Sequence, residues 1–467
     1  MTHYDLVVVG TGSGNTIVNR RFADRKVAIV ERGTFGGTCL NVGCIPTKMF
    51  VHTADLAATP SISSRYGVDE ELIGVRWPAV RDRIFGRIDP IAAGGSEYRH
   101  HHADNANVTM YAGTGRFTAA KELTVDGKDG TTSVLTGDQF VLATGSRPIV
   151  PFVPGLEEAG YHTSNTIMRL ENLPRRLGII GSGFVAAEFA HVFSSYGVEV
   201  TMIARSGQLM RHEDADIAQR FTEIARAKYD VRLNHDTVSA TRRADGAIAL
   251  EMLSPEGVDE LVVDEVLVAV GRTPNSDTLN LDAAGVAVDD EGRVVVDEFQ
   301  QTSVDGIYAL GDVTSPHQLK HVANHEARVV KHNLLNPADR IRSDHRFVPH
   351  AVFSSPQIAA VGLTEEQARQ RGIPYVVGRQ QYADIAYGWA MEDTTGFAKI
   401  LADPQTRQII GCHIIGPQAS SVIQPVIQAM SFGLDAYSMA RDQYWIHPAM
   451  SELIENALLK LRLPAKG

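Results

Sequence analysis

One local pattern occurs twice in this chain, and it allows few folds. Residues 4–31 run YDLVVVG, a short apolar strand, then the turn Gly10-Thr11-Gly12-Ser13-Gly14-Asn15. A stretch reading as helix to about Asp24 follows, and KVAIVE forms a second strand ending at Glu31. Residues 177–205 repeat the order: LGIIG, the turn Gly181-Ser182-Gly183-Phe184-Val185-Ala186, a helical run, and a strand ending near Ala204 and Arg205. Such units build doubly wound parallel sheets, so the expected class is α/β. The glycines permit a tight turn and let backbone N–H groups approach a pyrophosphate at a helix start. Glu31 stands where a carboxylate accepts hydrogen bonds from ribose hydroxyls. Asn15 departs from the pattern by filling the third glycine slot, with Gly14 beside it. The second copy has no acid at its strand end. Arg205 stands there and Arg211 follows, and arginines attract the 2′-phosphate that a carboxylate would repel. The second unit therefore reads as an NADP site. Two units predict two nucleotide cofactors and electron transfer between them.

At 467 residues the chain is too long for one ordinary core. Hydrophobic residues make up 44% and charged residues 21%, which excludes a disordered or collagen-like chain. A net charge of −11 argues against a nucleic-acid binder. Asp5 interrupts any basic leader region, and no window approaches the roughly 20 apolar residues of a membrane span. The expectation is a cytoplasmic protein with no membrane and no nucleic-acid partner. His100-His101-His102 read as a solvated helix face rather than a metal site.

Three cysteines are too few for a disulfide scaffold, yet Cys39 and Cys44 sit five positions apart within GGTCLNVGCIPTK. On a straight helix positions i and i+5 lie about 140° apart, so a bond between them needs a distorted turn. Gly43 permits one. A strained, accessible disulfide is readily reduced. Pro46 suits a first helical turn, placing Cys44 near a positive helix end with Lys48 close by, and both favour a thiolate. Two buried free thiols are the alternative.

GGTCLNVGCIPTK resembles the redox motif of the class I pyridine nucleotide–disulfide oxidoreductases. Further motifs of that family follow in order: Ala143-Thr144-Gly145-Ser146, the second fingerprint, Gly271-Arg272-Thr273-Pro274-Asn275, GIYALGD at 306–312, and Trp445-Ile446-His447-Pro448 with Glu452. The resemblance covers nearly the whole chain. It implies a glutathione reductase-like fold: an FAD-binding domain at 1–150 and 272–338, an NADP-binding domain at 151–271, and an α+β dimer-interface domain at 339–467. It implies that Cys44 is the thiol next to the flavin and Cys39 the interchange thiol that attacks the substrate. Lys48 would sit near the flavin and pair with Glu188. FAD would be held by Gly10, Gly12, Ser13, Gly14, Asn15, Glu31, Thr38, Gly115, Thr144 to Ser146, Gly311 and Asp312. Leu319 to Val322, including His321, would pass its pyrimidine edge. The nicotinamide dinucleotide would meet Gly181, Gly183, Phe184, Val185, Arg205, Arg211, Gly271 and Arg272.

The family further implies that His447 comes from the partner subunit and is oriented by Glu452, so that only a homodimer completes the site. The expected activity is NADPH-driven reduction of a small-molecule disulfide. Four stretches, GTGSGN, FGRIDPIA, LKHVANHEARVV and YGWAMEDT, resemble the branch acting on mycothione disulfide. Dihydrolipoamide dehydrogenase, which would want an acid where Arg205 stands, and glutathione reductase are the alternatives. Cys412, in IIGCHIIG, reads as core, and DGKDG at 126–130 as a hairpin turn.

Overall fold

The computed structural model describes residues 1–463. Three sheet systems make up the fold, and the first regains the chain at Ile307–Ala309 after the second is complete. The first holds strands Thr2–Val9, Val27–Glu31, Val108–Ala119, Glu122–Gly127, Thr132–Leu142 and Ile307–Ala309. Its parallel part runs Val108–Ala112, Val27–Glu31, Thr2–Val9, Thr132–Leu142, Ile307–Ala309. Strand Val108–Ala119 then leaves this layer and pairs antiparallel through residues 113–119 with Glu122–Gly127. The DGKDG segment turns that hairpin into the next strand. Leu6, Val7 and Val8 are fully buried, because helices and loops cover both faces of a parallel layer.

The second system is a parallel sheet in the order Glu265–Val268, Arg176–Ile180, Glu199–Ala204, Asp230–Leu233, with a three-stranded antiparallel layer at residues 236–263. The chain passes between the two systems through a short ribbon pairing Ser146–Pro148 with Arg272–Pro274. The third is a five-stranded antiparallel sheet from Pro349 to Gly416, covered by late helices including Gln424–Phe432 and Glu452–Leu459. Cys412 is fully buried in it, as expected of a core residue. No helix among the described residues is long and apolar enough to cross a membrane.

One expected element is absent. No continuous helix follows the first glycine turn; two three-residue 3₁₀ turns stand there instead, Gly14–Thr16 and Arg20–Phe22. Asn19 is extended and its side chain accepts the Arg21 N–H, which ends the first turn and starts the second. The carbonyls of Asn15 and Val18 accept from the Arg99 guanidinium, out of register with a helix. After the second glycine turn the helix is regular, Phe184–Ser195.

Candidate active site

Cys39 lies on a short helix, Gly37–Asn41, and Cys44 begins another, Cys44–Ala58. The pair therefore straddles a break between two helices, not a distortion within one. The break falls at Gly43, whose ψ of −122° is far from helical. The Thr47 hydroxyl and N–H both return to the Gly43 carbonyl, at 2.8 and 3.1 Å, and close the new first turn around Cys44.

The two thiols are unbonded here and hydrogen-bond to each other. That contact splits their acidities. Cys44 is lowered to about 7, first by the hydrogen bond from Cys39 and then by the Lys48 charge, against the opposing effect of burial. Cys39 is pushed well above the ordinary thiol range, chiefly by its hydrogen bond to Cys44 and by burial. The contact thus favours ionisation of Cys44 over Cys39. Lys48 Nζ lies 2.7 Å from both oxygens of the buried Glu188, and Glu188 also accepts the Phe353 N–H at 3.0 Å. Lys48→Met should raise the apparent pKa of the Cys44 thiolate by about one unit. The pH titration of thiolate ultraviolet absorbance in the reduced protein checks this; an unshifted curve contradicts it.

Both cysteines open on a cavity of about 490 Å³ at the carboxyl ends of the first sheet's strands. Gly10, Gly12, Ser13, Glu31, Thr38, Lys48, Gly115, Thr144, Gly145, Ser146, Phe184, Val185, Glu188, Arg272, Gly311 and Asp312 line it. The residues fit an extended dinucleotide. A side chain at Gly10 would lie 2.3 Å from the Ala143 carbonyl, so backbone alone forms that end. Glu31 holds the turn by accepting the Thr11 N–H and hydroxyl at 2.8 and 2.6 Å. The buried Thr144 hydroxyl has no protein partner, as expected of a group reserved for a ligand. Asp312 accepts from Ser146 at 2.7 Å, and Arg272 donates to that same hydroxyl at 2.8 Å.

Several expected residues stand outside the cavity wall. Gly14 and Asn15 lie behind the turn; Gly14 packs so close to Ala143 that a Cβ would come within 2.7 Å of that side chain. Leu319 and His321 do not form the wall either. The helix begins at Lys320, and His321 is bonded instead to the Pro349 carbonyl at 2.8 Å. Gln318, Lys320 and Ala323 line the cavity in their place, and Lys320 Nζ donates to Ser13 at 2.8 Å. No local sequence pattern marks Lys320, because its partner lies more than 300 positions away.

Gly181 turns the second fingerprint with φ of +148°, against the Ala269 carbonyl. Gly183 caps the helix that carries Glu188, and Gly271 accepts the Ile149 N–H at the ribbon. Arg205 and Arg211 are both exposed just past the strand Glu199–Ala204. The segment joining them is drawn to the fingerprint by the Met210 N–H, which donates to the Ser182 carbonyl at 2.8 Å. His447 Nδ1 lies 2.6 Å from Glu452, yet the ring is 69% exposed and contributes nothing to its own chain's cavity wall.

Comparison with known proteins agrees with this geometry. The family described as "Pyridine nucleotide-disulphide oxidoreductase" matches residues 4–327, and its dimerisation domain matches residues 348–458. A mycothione reductase of Mycobacterium tuberculosis is 52% identical, with 99% of this chain and 100% of that protein covered. A dihydrolipoyl dehydrogenase of Corynebacterium glutamicum is 32% identical, covering 97% of both. A mercuric reductase of Staphylococcus aureus is also 32% identical, covering 98% of this chain and 82% of that one. Among solved structures, the HOCl-induced flavoprotein disulfide reductase RclA of Escherichia coli, as its Cu(II) complex, superposes with a TM-score of 0.84 at 30% identity, covering 98% and 99%. The chain therefore belongs to the pyridine nucleotide-disulphide oxidoreductases, class I flavoprotein disulfide reductases that work with a flavin and a pyridine nucleotide.

Proposed function

We propose that this protein is a cytoplasmic homodimer that uses NADPH and FAD to reduce mycothione disulfide to mycothiol. The reading divides the chain into an FAD domain (1–150 and 272–338), an NADP domain (151–271) and an interface domain (339–467). The observation carrying it is the Cys39–Cys44 pair on the cavity, with the Lys48–Glu188 ion pair one helical turn away. Mycothione enters from the 52% identity to the mycobacterial enzyme, against 32% for the dihydrolipoyl dehydrogenase. NADPH enters from Arg205 and Arg211, neither of which has a carboxylate partner among the described residues.

Bound FAD would supply the two-electron relay between nicotinamide and sulfur. The protein's own groups do the rest. Lys48 and the start of helix Cys44–Ala58 hold Cys44 as a thiolate. Cys39, losing its proton to His447 of the partner subunit, attacks one sulfur of the substrate and forms a mixed disulfide. The departing thiolate takes that proton back from the imidazole, which Glu452 orients. Cys44 then attacks Cys39, releasing the second product as a thiolate that takes a proton from solvent and restoring the Cys39–Cys44 disulfide. Two electrons and two protons enter per disulfide reduced.

Thiol counting under denaturing conditions tests the relay. With three cysteines in the chain, the oxidised protein should show one thiol and the NADPH-treated protein three. NADH at equal concentration should act more slowly. A count unchanged by NADPH contradicts the reading.

A further inference from the structure

The long helix Trp77–His101 brings Arg99 beneath the first glycine turn. Its side chain is buried, with only 6% of the residue exposed. Nε donates to the Asn15 side-chain oxygen at 2.7 Å. Nη2 donates to the carbonyls of Asn15 at 2.8 Å and Val18 at 2.9 Å. Nη1 donates to the Asn105 side chain at 2.7 Å. Every one of these partners is neutral, and the nearby Lys331 adds a like charge. A buried cation without a counter-charge is costly, and proteins keep one where something else supplies the anion.

The turn above Arg99 explains what that anion is. Turns of this kind face a pyrophosphate with the positive end of a full helix. Here the helix is reduced to two 3₁₀ turns, so few peptide dipoles are aligned. The third glycine is also replaced, by the very residue Arg99 grips. On the other side of the turn, Lys320 reaches Ser13.

We propose that Arg99 is a positioning residue for the FAD pyrophosphate. It fixes the turn Gly10–Asn15 through Asn15 and supplies from below the positive charge that the shortened helix lacks. The bound diphosphate is its missing counter-ion. Arg99 acts through the turn and does not line the cavity.

The test separates a pyrophosphate effect from a general loss of shape. Full-length apoprotein is titrated with FAD and with riboflavin, which lacks the phosphates, by flavin fluorescence. Arg99→Gln should weaken FAD about tenfold or more and riboflavin less than about twofold. Arg99→Lys, which keeps the charge but not the fork, should fall between Gln and the parent for FAD. Asn15→Ala is the milder variant, should Arg99→Gln fail to fold. It cuts one link, leaves the guanidinium in place, and should weaken FAD alone by about threefold. Equal weakening of FAD and riboflavin, or unchanged FAD affinity, would overturn the proposal.

Discussion

Replacing Cys39 by Ser should lower disulfide turnover by about a thousandfold or more, while NADPH still reduces the bound flavin. The expectation follows from the division of labour between the two sulfurs. Cys44 is the sulfur whose ionisation is favoured, and Cys39 the one whose ionisation is opposed. A serine hydroxyl can still donate a hydrogen bond to Cys44, so the Cys44 thiolate survives. What disappears is the sulfur that forms the mixed disulfide. Rapid mixing with NADPH, followed by steady-state assay with a disulfide, separates the two halves. Turnover within about tenfold of the parent would contradict the assignment of Cys39 as attacking group.

His447→Gln should cost about 10²- to 10⁴-fold in disulfide turnover, the usual worth of a positioned acid–base group. The more telling result comes from mixing. His447 forms no part of its own chain's cavity wall, and its Nδ1 lies 2.6 Å from Glu452. If the partner subunit supplies it, a heterodimer of a Cys39→Ser chain and a His447→Gln chain holds one doubly damaged site and one intact site. Random co-assembly makes half the dimers mixed, so about one quarter of the parent activity should return, the partner exchange following from closed two-fold symmetry. If His447 serves its own chain, every site in the mixture carries a lesion and no activity returns.

Much of this site was legible because it is built from short, ordered motifs. Both glycine turns, Glu31 and the cysteine pair lie on segments whose spacing already suggests their chemistry, whereas the Lys48–Glu188 contact was expected only from the family resemblance. Most of what the sequence did not show has one physical cause: a side chain arriving from a distant segment. Arg99, 84 positions from Asn15, takes the carbonyls around which a regular helix was expected. Phe353 and Lys320 complete the surroundings of Glu188 and Ser13 from still more remote positions. Leu319 and His321 stand off the cavity wall for a different reason, the phase of their helix. Successive residues on a helix point about 100° apart, so a start at Lys320 turns Lys320 and Ala323 to the cavity and His321 away.

Substrate preference shows what the Cys39–Cys44 pair reduces. The most direct measurement is kcat/KM with NADPH for mycothione disulfide, glutathione disulfide and lipoamide, side by side on the same preparation. Mycothione disulfide should exceed both others by about a hundredfold or more, the discrimination expected of a site built for one partner's polar groups. Lipoamide or glutathione disulfide turning over as fast as mycothione disulfide would contradict it.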